Sequence, residues 1–494
     1  MAQGSLKSKT ISGVFWSAFQ KFGAMAISFV ANIVLARLLS PDDFGCIGML
    51  AIFITLSRTF IDGGFGSALI QKKEPTDEDY STIFYWNLLL SGLLYGILYL
   101  TAPVIARFYD IPLLSAVLRV EGLVLIINAL SIIQNNRMRK QLQFKKLAII
   151  DIISAIVSIA ITILLAAKGW GIWALVAQQL LLCFISTLLL WVVGHWHPRL
   201  VFSWTSFKEL FNFGFFILLA NLVNTFCNNI QGLLIGKIYN SSTMGYYSQG
   251  KKLEEISSTS ISNVVHRVAY PILAESQNDK PRMIHMLSQF ITSLAYLTIP
   301  LMLLFILVAK PLIVLIYSAK WLPSVHYFQI LCIAGIAISL QGINYYAVAA
   351  VGKSGKLLLW TLIKRGIGLV LVVGGLAAFG MDGLLAGMVI TSYTIYIINA
   401  ALVHKHVGYT LFQQFLDLLP IVIVSLCAFF LAFFSTKFIH LDIYSVACIQ
   451  LGIFLIIYLG LSYLFRLRAF NNFVEIARDL ISRLKNRNRQ QVPA

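Results

Sequence analysis

Apolar residues in this chain come in runs of about twenty that recur from one end to the other, as at Val14–Leu38, Ile83–Pro103, Ile149–Ala167 and Leu357–Phe379. A helix of that length crosses a hydrocarbon core of roughly 30 Å. The pattern therefore predicts an all-α polytopic membrane protein. About fourteen such segments can be marked, beginning near residues 14, 43, 80, 116, 148, 172, 210, 252, 284, 327, 357, 382, 416 and 444. The first is too long for the apolar core of a secretory signal and reads as a retained span. One stretch breaks the pattern. KKLEEISSTSISNVVHRVAYP, Lys251–Pro271, carries Lys251, Lys252, Glu254, Glu255, His266 and Arg267 with five Ser or Thr between them. It is a loop, a surface helix, or a span that tolerates polarity.

An internal repeat decides between them. LARLLSPDDFG at Leu35–Gly45 aligns without gaps on IGKIYNSSTMG at Ile235–Gly245, an offset of 200, with Arg37 on Lys237, Ser40 on Asn240 and Gly45 on Gly245. PVIARFY at Pro103–Tyr109 matches PLIVLIY at Pro311–Tyr317, and GWGIWAL at Gly169 echoes GMDGLLA at Gly380. Six spans followed by six related ones keep the same orientation, the parallel kind of transporter repeat. The expected organisation is a six-helix bundle over residues 1–205, a second over 206–408, two additional transmembrane helices over 409–466 and a basic cytoplasmic tail over 467–494. At the same offset Lys251–Pro271 falls on Ala51–Gln71, an easily read second span, so the polar stretch is expected to be the eighth.

Its helical pattern agrees. Leu253, Ile261, Val264, Val265, Val268 and Ile272 share one face, and Lys252, Glu255, Thr259, Ser262, Asn263, His266 and Arg267 the other. Inside a membrane such a polar face must turn to a hydrated interior. Spans 1, 2 and 7 carry stripes too: Ser17, Lys21, Ser28 and Asn32; Thr55, Arg58, Thr59, Asp62 and Gly66; Asn221, Asn224 and Asn228. The repeat would gather spans 1, 2, 7 and 8 around one cleft. Lys21 and Arg267 have no acidic neighbour at helical spacing and read as cavity cations. Arg58 and Asp62, at i and i+4, either neutralise one another or serve the cavity. Arg119, Glu121, Lys364 and Arg365 read as snorkelling or interface residues, and Asp151 as a helix-start residue.

Two acidic clusters admit a local explanation. Ser40-Pro41-Asp42-Asp43 and Thr76-Asp77-Glu78-Asp79 each place a cap and carboxylates where a helix must begin. The competing reading is a metal-holding motif of a membrane glycosyltransferase, a class that also wants a long external catalytic loop; none longer than about fifteen residues is expected here. AVAAVGKSGK has Ala347 where a phosphate loop needs its first Gly, which argues against an ATP-driven pump. His195, His197, His404 and His406 read as interfacial loop residues.

Composition and charge refine the picture. A mean hydropathy of +0.82 and 12% charged residues exclude an ordinary soluble protein. The net charge of +18 is a topology signal and no sign of nucleic-acid binding. With the N-terminus in the cytoplasm, most of the 38 Lys and Arg fall in cytoplasmic segments, including Arg137, Arg139, Lys140, Lys145 and Lys146 in one loop. Both termini are thus expected in the cytoplasm, with Phe470, Phe473, Ala477, Leu480 and Leu484 forming one face of a surface helix in the tail. The six cysteines lie in or beside apolar runs without a CxxC, as packing residues.

With the repeat in hand, VLARLLSPDDFG, IQKKEPTDEDYSTIFYWN, KGWGIWALV, GYYSQGKKLEE and AKPLIVLIYSAKW carry a resemblance to the multidrug/oligosaccharidyl-lipid/polysaccharide exporter superfamily. The chain most resembles its polysaccharide transporters, the O-antigen and colanic-acid flippases. The resemblance implies two six-helix bundles in an inverted V that opens alternately to either side of the bacterial inner membrane. It implies an undecaprenyl-diphosphate-linked oligosaccharide as substrate, with Lys21, Arg58, Lys252 and Arg267 on the spans whose basic residues meet the diphosphate. Asn32, Asn221, Asn224, Asn228, Thr259 and Asn263 would hydrogen-bond sugar hydroxyls, and the last two spans would form a side groove for the prenyl tail. Asp62 and Glu255 are the expected ion-coupling groups, for Na+ or H+, with no other cofactor and no metal. A monomer is expected, working beside a polysaccharide polymerase and chain-length machinery. The rival within the superfamily is a cation-coupled multidrug antiporter, which would favour cavity acids over the cations present here.

Overall fold

In the computed structural model, residues 2–352, 354–437, 441–475 and 478 are described, and of these the side chains of residues 2–15, 17, 18, 67, 213, 264, 267 and 354–358 are not. Most of the tail expected at 467–494 therefore lies outside the described residues, as do the side chains of Ser17, Val264 and Arg267. Among the described residues the chain is helical throughout, without a strand.

The fold divides into two compact units, Met1–Ser248 and Gln249–Ala494. The first contains α1 (Ala2–Leu38), α2 (Pro41–Asp62), α3 (Phe65–Gln71), α4 (Asp77–Phe108), α5 (Leu113–Glu121), α6 (Leu123–Lys140), α7 (Phe144–Ala167), α8 (Ile172–Gly194), α9 (Trp204–Ile238) and the first turns of α10 (Ser241–Glu275). The second contains the rest of α10, then α11 (Lys280–Leu307), α12 (Ala309–Tyr317), α13 (Ser324–Ala350), α14 (Ser354–Val407), α15 (Leu411–Thr436) and α16 (Ile443–Leu464). These units are a division by packing, whereas the boundary near residue 205 follows sequence kinship.

Among the described residues, eleven helices are long and apolar enough to cross a membrane, or twelve if the pair Trp204–Asn212 and Gly214–Ile238, bent by 52°, is one span. Fourteen is reached only by two further steps. One is to divide α14, which breaks at Phe379 (φ −132°) and Gly380 (φ 62°). The other is to admit α10, 35 residues long and absent from the apolar set.

The helix starts follow from local chemistry. Ser40 Oγ accepts from Asp43 N at 3.2 Å while Asp43 Oδ2 accepts from Ser40 N at 2.9 Å. Thr76 and Asp79 repeat the same reciprocal pair at 3.2 and 2.9 Å. Both acidic clusters are capping boxes, and no metal-holding group of three or more His, Cys, Asp or Glu occurs among the described residues. The repeat is visible in the caps: Asn240, the counterpart of Ser40, takes Thr243 N on its Oδ1 at 2.8 Å. Gly169 and Gly380, also counterparts, both adopt left-handed backbone, φ 82° and 62°.

In the first unit α2 runs antiparallel to α9 through small residues. A Cβ on Gly232 would meet Gly48 O at 2.8 Å, and one on Gly64 would meet Gly214 O at 2.5 Å. Close backbone approach through glycine is a recurrent way for helices to associate where lipid removes the hydrophobic drive. Outside the spans, Lys72 Nζ bonds Glu209 Oε2 at 2.9 Å and Asp79 Oδ1 at 3.1 Å. Burial alone would lower its pKa, but these hydrogen bonds and the two carboxylate charges hold the ammonium above its ordinary value.

In the second unit the core lies between α11, α13 and α15, around Leu287, Ile291, Leu294, Leu340, Ile343 and Val424. Two polar pairs bridge helices within it: Asn344 Nδ2 donates to Gln414 Oε1 at 3.0 Å and Tyr458 OH to Tyr296 O at 2.8 Å.

Candidate functional site

The polar stretch from Lys251 to Pro271 is helical over its whole length, inside α10. Much of its polarity is satisfied internally. The hydroxyls of Ser257, Thr259, Ser260 and Ser262 each donate to the carbonyl four residues back. What remains divides into two stripes. Lys252, Glu255 and Thr259 are exposed, with Asn263 half-buried one turn further on. Glu254, Ser258 and Ser262 are buried at 2%, 1% and 6% exposure. The expected single wet face is thus corrected: Ser262 belongs to the interior, and His266 is half-buried with its ring 5.1 Å from that of Tyr346 on α13. Val268, expected on the apolar packing face, is 54% exposed. Arg267 lies on the helix, but its side chain falls outside the described residues.

Glu254 is the group that sequence reasoning passed over in favour of Glu255. Glu255 is exposed and its Oε1 stands 3.7 Å from Lys251 Nζ. Glu254 presses on α13 instead, where a Cβ on Gly335 would lie 2.4 Å from its Oε1. The available signal was Gly335, whose missing side chain makes room for the carboxyl.

The first unit offers its own polar surfaces. On α2, Thr59 Oγ1 stands 3.1 Å from Thr225 Oγ1 of α9, so the two stripes meet. Thr55 and Thr59 also donate to their own helix, at 2.6 and 2.8 Å. On α9, Asn221 and Asn228 are exposed and Asn224 half-buried. Lys21 is exposed on α1, whereas Asn32 is buried at 3%. Arg58 and Asp62 form no ion pair among the described residues. Arg58 is half-buried with an unpartnered Nε, and its charge reaches Glu121. Glu121 is 1% exposed and accepts from Gln179 at 2.8 Å, which makes it an interior residue and not a snorkelling one. Its neighbour Arg119 lies 4.5 Å over the Tyr99 ring. Asp62, exposed at the end of α2, feels the Arg139 charge. Asp151 sits two turns inside α7, where its carboxylate accepts from Gln20 at 2.5 Å; it is an interhelical contact and not a helix start.

Lys364 is a further buried cation, 5% exposed on α14. Its Nζ donates to Asn399 Oδ1 at 2.7 Å, and Asn399 Nδ2 donates to Gln341 O at 3.0 Å. The second unit also holds an apolar cavity of about 650 Å³ walled by Ile336, Tyr396, Leu411, Phe412, Phe415 and Val422, among others. Its wall is contributed mainly by α13, α14 and α15.

Comparison with known proteins places this geometry. A family model described as "Polysaccharide biosynthesis protein" matches residues 34–326. The teichuronic acid biosynthesis protein TuaB of Bacillus subtilis is 28% identical over 358 residues, covering 72% of this chain and 74% of that protein. The succinoglycan biosynthesis transport protein ExoT of Rhizobium meliloti is 25% identical over 383 residues, 77% of this chain and 76% of its own. Among solved structures, the lipid II flippase MurJ in an inward closed conformation superposes with a TM-score of 0.75 at 16% identity, over 95% of this chain and 100% of that one. The last likeness establishes a shared fold.

Proposed function

Because the chain belongs to the polysaccharide biosynthesis protein family, we propose that it translocates an undecaprenyl-diphosphate-linked oligosaccharide across the bacterial inner membrane, for surface polysaccharide assembly. The observation that carries this reading is the exposed stripe of Lys252, Glu255 and Thr259 along a 35-residue helix. A charged side chain at membrane depth costs a few kcal/mol or more unless hydrated or paired, so such a stripe suits a helix that lines a hydrated substrate path. A diphosphate moved through low-dielectric surroundings needs cationic partners, and Lys21, Arg58, Lys252 and Arg267 are the proposed ones. The amides of Asn221, Asn224 and Asn228 and the hydroxyl of Thr259 are suited to sugar hydroxyls, and Asn263 joins that set, whereas Asn32, expected there, is buried. The relatives' names support the reading, ExoT being a transport protein and MurJ a flippase. No covalent step is required of the chain: it works by binding and conformational change.

The apolar cavity beside α15 suits part of the prenyl tail, since each buried methylene contributes about 0.8 kcal/mol. Na+ or H+ coupling through Asp62 and Glu255, termini in the cytoplasm, action as a monomer, and a polymerase with its chain-length machinery as neighbours complete the proposal. A strain lacking the protein is expected to accumulate lipid-linked oligosaccharide facing the cytoplasm. Normal surface polysaccharide without that accumulation, in a strain free of a redundant flippase, contradicts the reading.

A further inference from the structure

The second unit contains a larger cavity, about 1020 Å³, bounded by α11, α15 and the chain that follows α16. One part of its wall is apolar, with Leu416, Leu419, Pro420, Ile423 and Phe465; the other presents His285, Gln289, Arg466, Arg468, Asn471 and Asn472. The local fold explains why two arginines face it. Helix α16 ends in a turn in which Leu467 N bonds Ser462 O at 3.1 Å and Arg466 N bonds Tyr463 O at 3.1 Å. That closure puts Arg466 in left-handed backbone, φ 48°. Beyond it, Leu467 and Ala469 are buried while Arg466 and Arg468 are exposed, an alternation that presents both guanidiniums on one side. The segment is anchored by Phe470 and Phe473, whose rings lie 6.4 and 5.8 Å from that of Tyr296 on α11.

Neither guanidinium pairs with a carboxylate among the described residues. The one acidic group in the wall, Asp417, is already engaged: its Oδ2 accepts from Ser288 Oγ and Tyr409 OH, each at 2.5 Å. The cavity thus offers two planar cationic donors, an imidazole and three amides beside an apolar trough. Guanidinium groups match phosphate oxygens bidentately, and basic pockets between membrane helices on the cytoplasmic side recognise lipid head groups. The ends of α11, α15 and α16 that meet here are those that the charge pattern assigns to the cytoplasm.

We propose that this cavity is a binding site for a glycerophospholipid of the inner leaflet, its phosphate held by Arg466 and Arg468 and an acyl chain lying along Leu419, Ile423 and Phe465. Phosphate is the recognised chemistry. The apolar trough favours a lipid as its source over free phosphate, which would leave that wall empty. The site shares Leu419 with the apolar cavity proposed for the prenyl tail, whereas Arg466 and Arg468 line this cavity and not that one.

The test is native mass spectrometry of the full-length protein, purified in detergent and stripped of lipid. It is titrated with dioleoyl-phosphatidylglycerol, with dioleoylglycerol, which lacks the phosphate, and with inorganic phosphate. Wild type is expected to retain one phosphatidylglycerol at concentrations where dioleoylglycerol and inorganic phosphate show at least tenfold weaker binding or none. Arg466→Gln with Arg468→Gln is expected to lower phosphatidylglycerol occupancy at least tenfold, and Arg466→Lys with Arg468→Lys to retain part of it. Ile423→Trp, at a position that lines this cavity and not the neighbouring apolar one, fills the trough and leaves every charge in place; it is expected to lower occupancy as well, and it decides the matter if the double Gln variant does not fold. Wild-type occupancy in both the Gln and Trp variants, equal binding of dioleoylglycerol, or full displacement by equimolar inorganic phosphate overturns the proposal.

Discussion

Gly45 and Gly245, equivalent positions of the internal repeat, pack reciprocally. A Cβ on Gly45 would stand 1.7 Å from Ser241 O, and one on Gly245 would stand 2.0 Å from Pro41 O. Each glycine thus lies against the first turn of the other's helix, α2 against α10. Asp42 Oδ1 closes the contact by accepting from Ser241 and Ser242 hydroxyls at 2.5 and 2.7 Å. The sequence echo that pairs these segments is therefore also a packing contact.

Neither glycine tolerates a side chain, because the clashing atoms are backbone. Gly45→Ala and Gly245→Ala are each expected to destabilise the protein by about 1–3 kcal/mol, the usual cost of overpacking. Gly92→Ala, with nothing within 4 Å of the added atom and in the interior of α4, is expected to cost nothing and to stabilise by up to about 1 kcal/mol through helix propensity. Thermal unfolding in detergent, followed by intrinsic fluorescence, distinguishes the three.

Glu254 and Gly335 form a second coupled pair. Gly335→Ala alone is expected to cost about 1–3 kcal/mol by driving a methyl group into the carboxyl. In a Glu254→Ala background the same change is expected to cost much less, since the obstructing group is gone. The double-mutant cycle measures this directly, and additive effects of the two changes would rule out the contact.

These pairs show what a single sequence does and does not reveal. The caps at Ser40 and Thr76, the helical state of residues 251–271 and the equivalence of Gly45 with Gly245 follow from local chemistry and spacing, and all three appear in the structure. The orientation of α10 does not follow, because Glu254 and Glu255 are one helical step apart and either can point inward. Packing against α13 chooses Glu254, through Gly335, a residue some eighty positions away. The burial of Glu121 and Lys364 escapes in the same way: their partners Gln179 and Asn399 lie on other helices, and nothing in the local pattern connects them.

Lys72 links stability to alkaline pH. Its ammonium is held above the ordinary value of 10.5 by Glu209 and Asp79, so the charged form is favoured in the folded state. The stabilisation is fully present below about pH 10.5 and is lost as pH rises through the higher folded value. Lys72→Met is expected to lower the melting temperature by a degree or two at neutral pH and to abolish this alkaline decline. A wild-type profile in the variant between pH 9 and 12 would assign the decline to other groups.

The proposed diphosphate partners carry a functional prediction. Lys21→Glu, Lys252→Glu and Arg267→Glu are each expected to reduce transport at least tenfold with membrane insertion unchanged. Lys73→Glu, in the exposed turn before α4, is expected to have no effect. Surface polysaccharide restored in the deletion strain, normalised to the amount of protein in the membrane, gives the readout, and undiminished export in any of the three removes that residue from the site.

The most direct measurement is flipping in purified proteoliposomes loaded with a fluorescent undecaprenyl-diphosphate oligosaccharide, scored by the fraction accessible to an external quencher over time. Wild-type protein is expected to speed exchange between leaflets well above protein-free vesicles, and Lys252→Glu at equal reconstitution to return it near the protein-free rate. Exchange by wild type no faster than in empty vesicles, under imposed Na+ and H+ gradients of either direction, would contradict the proposed function.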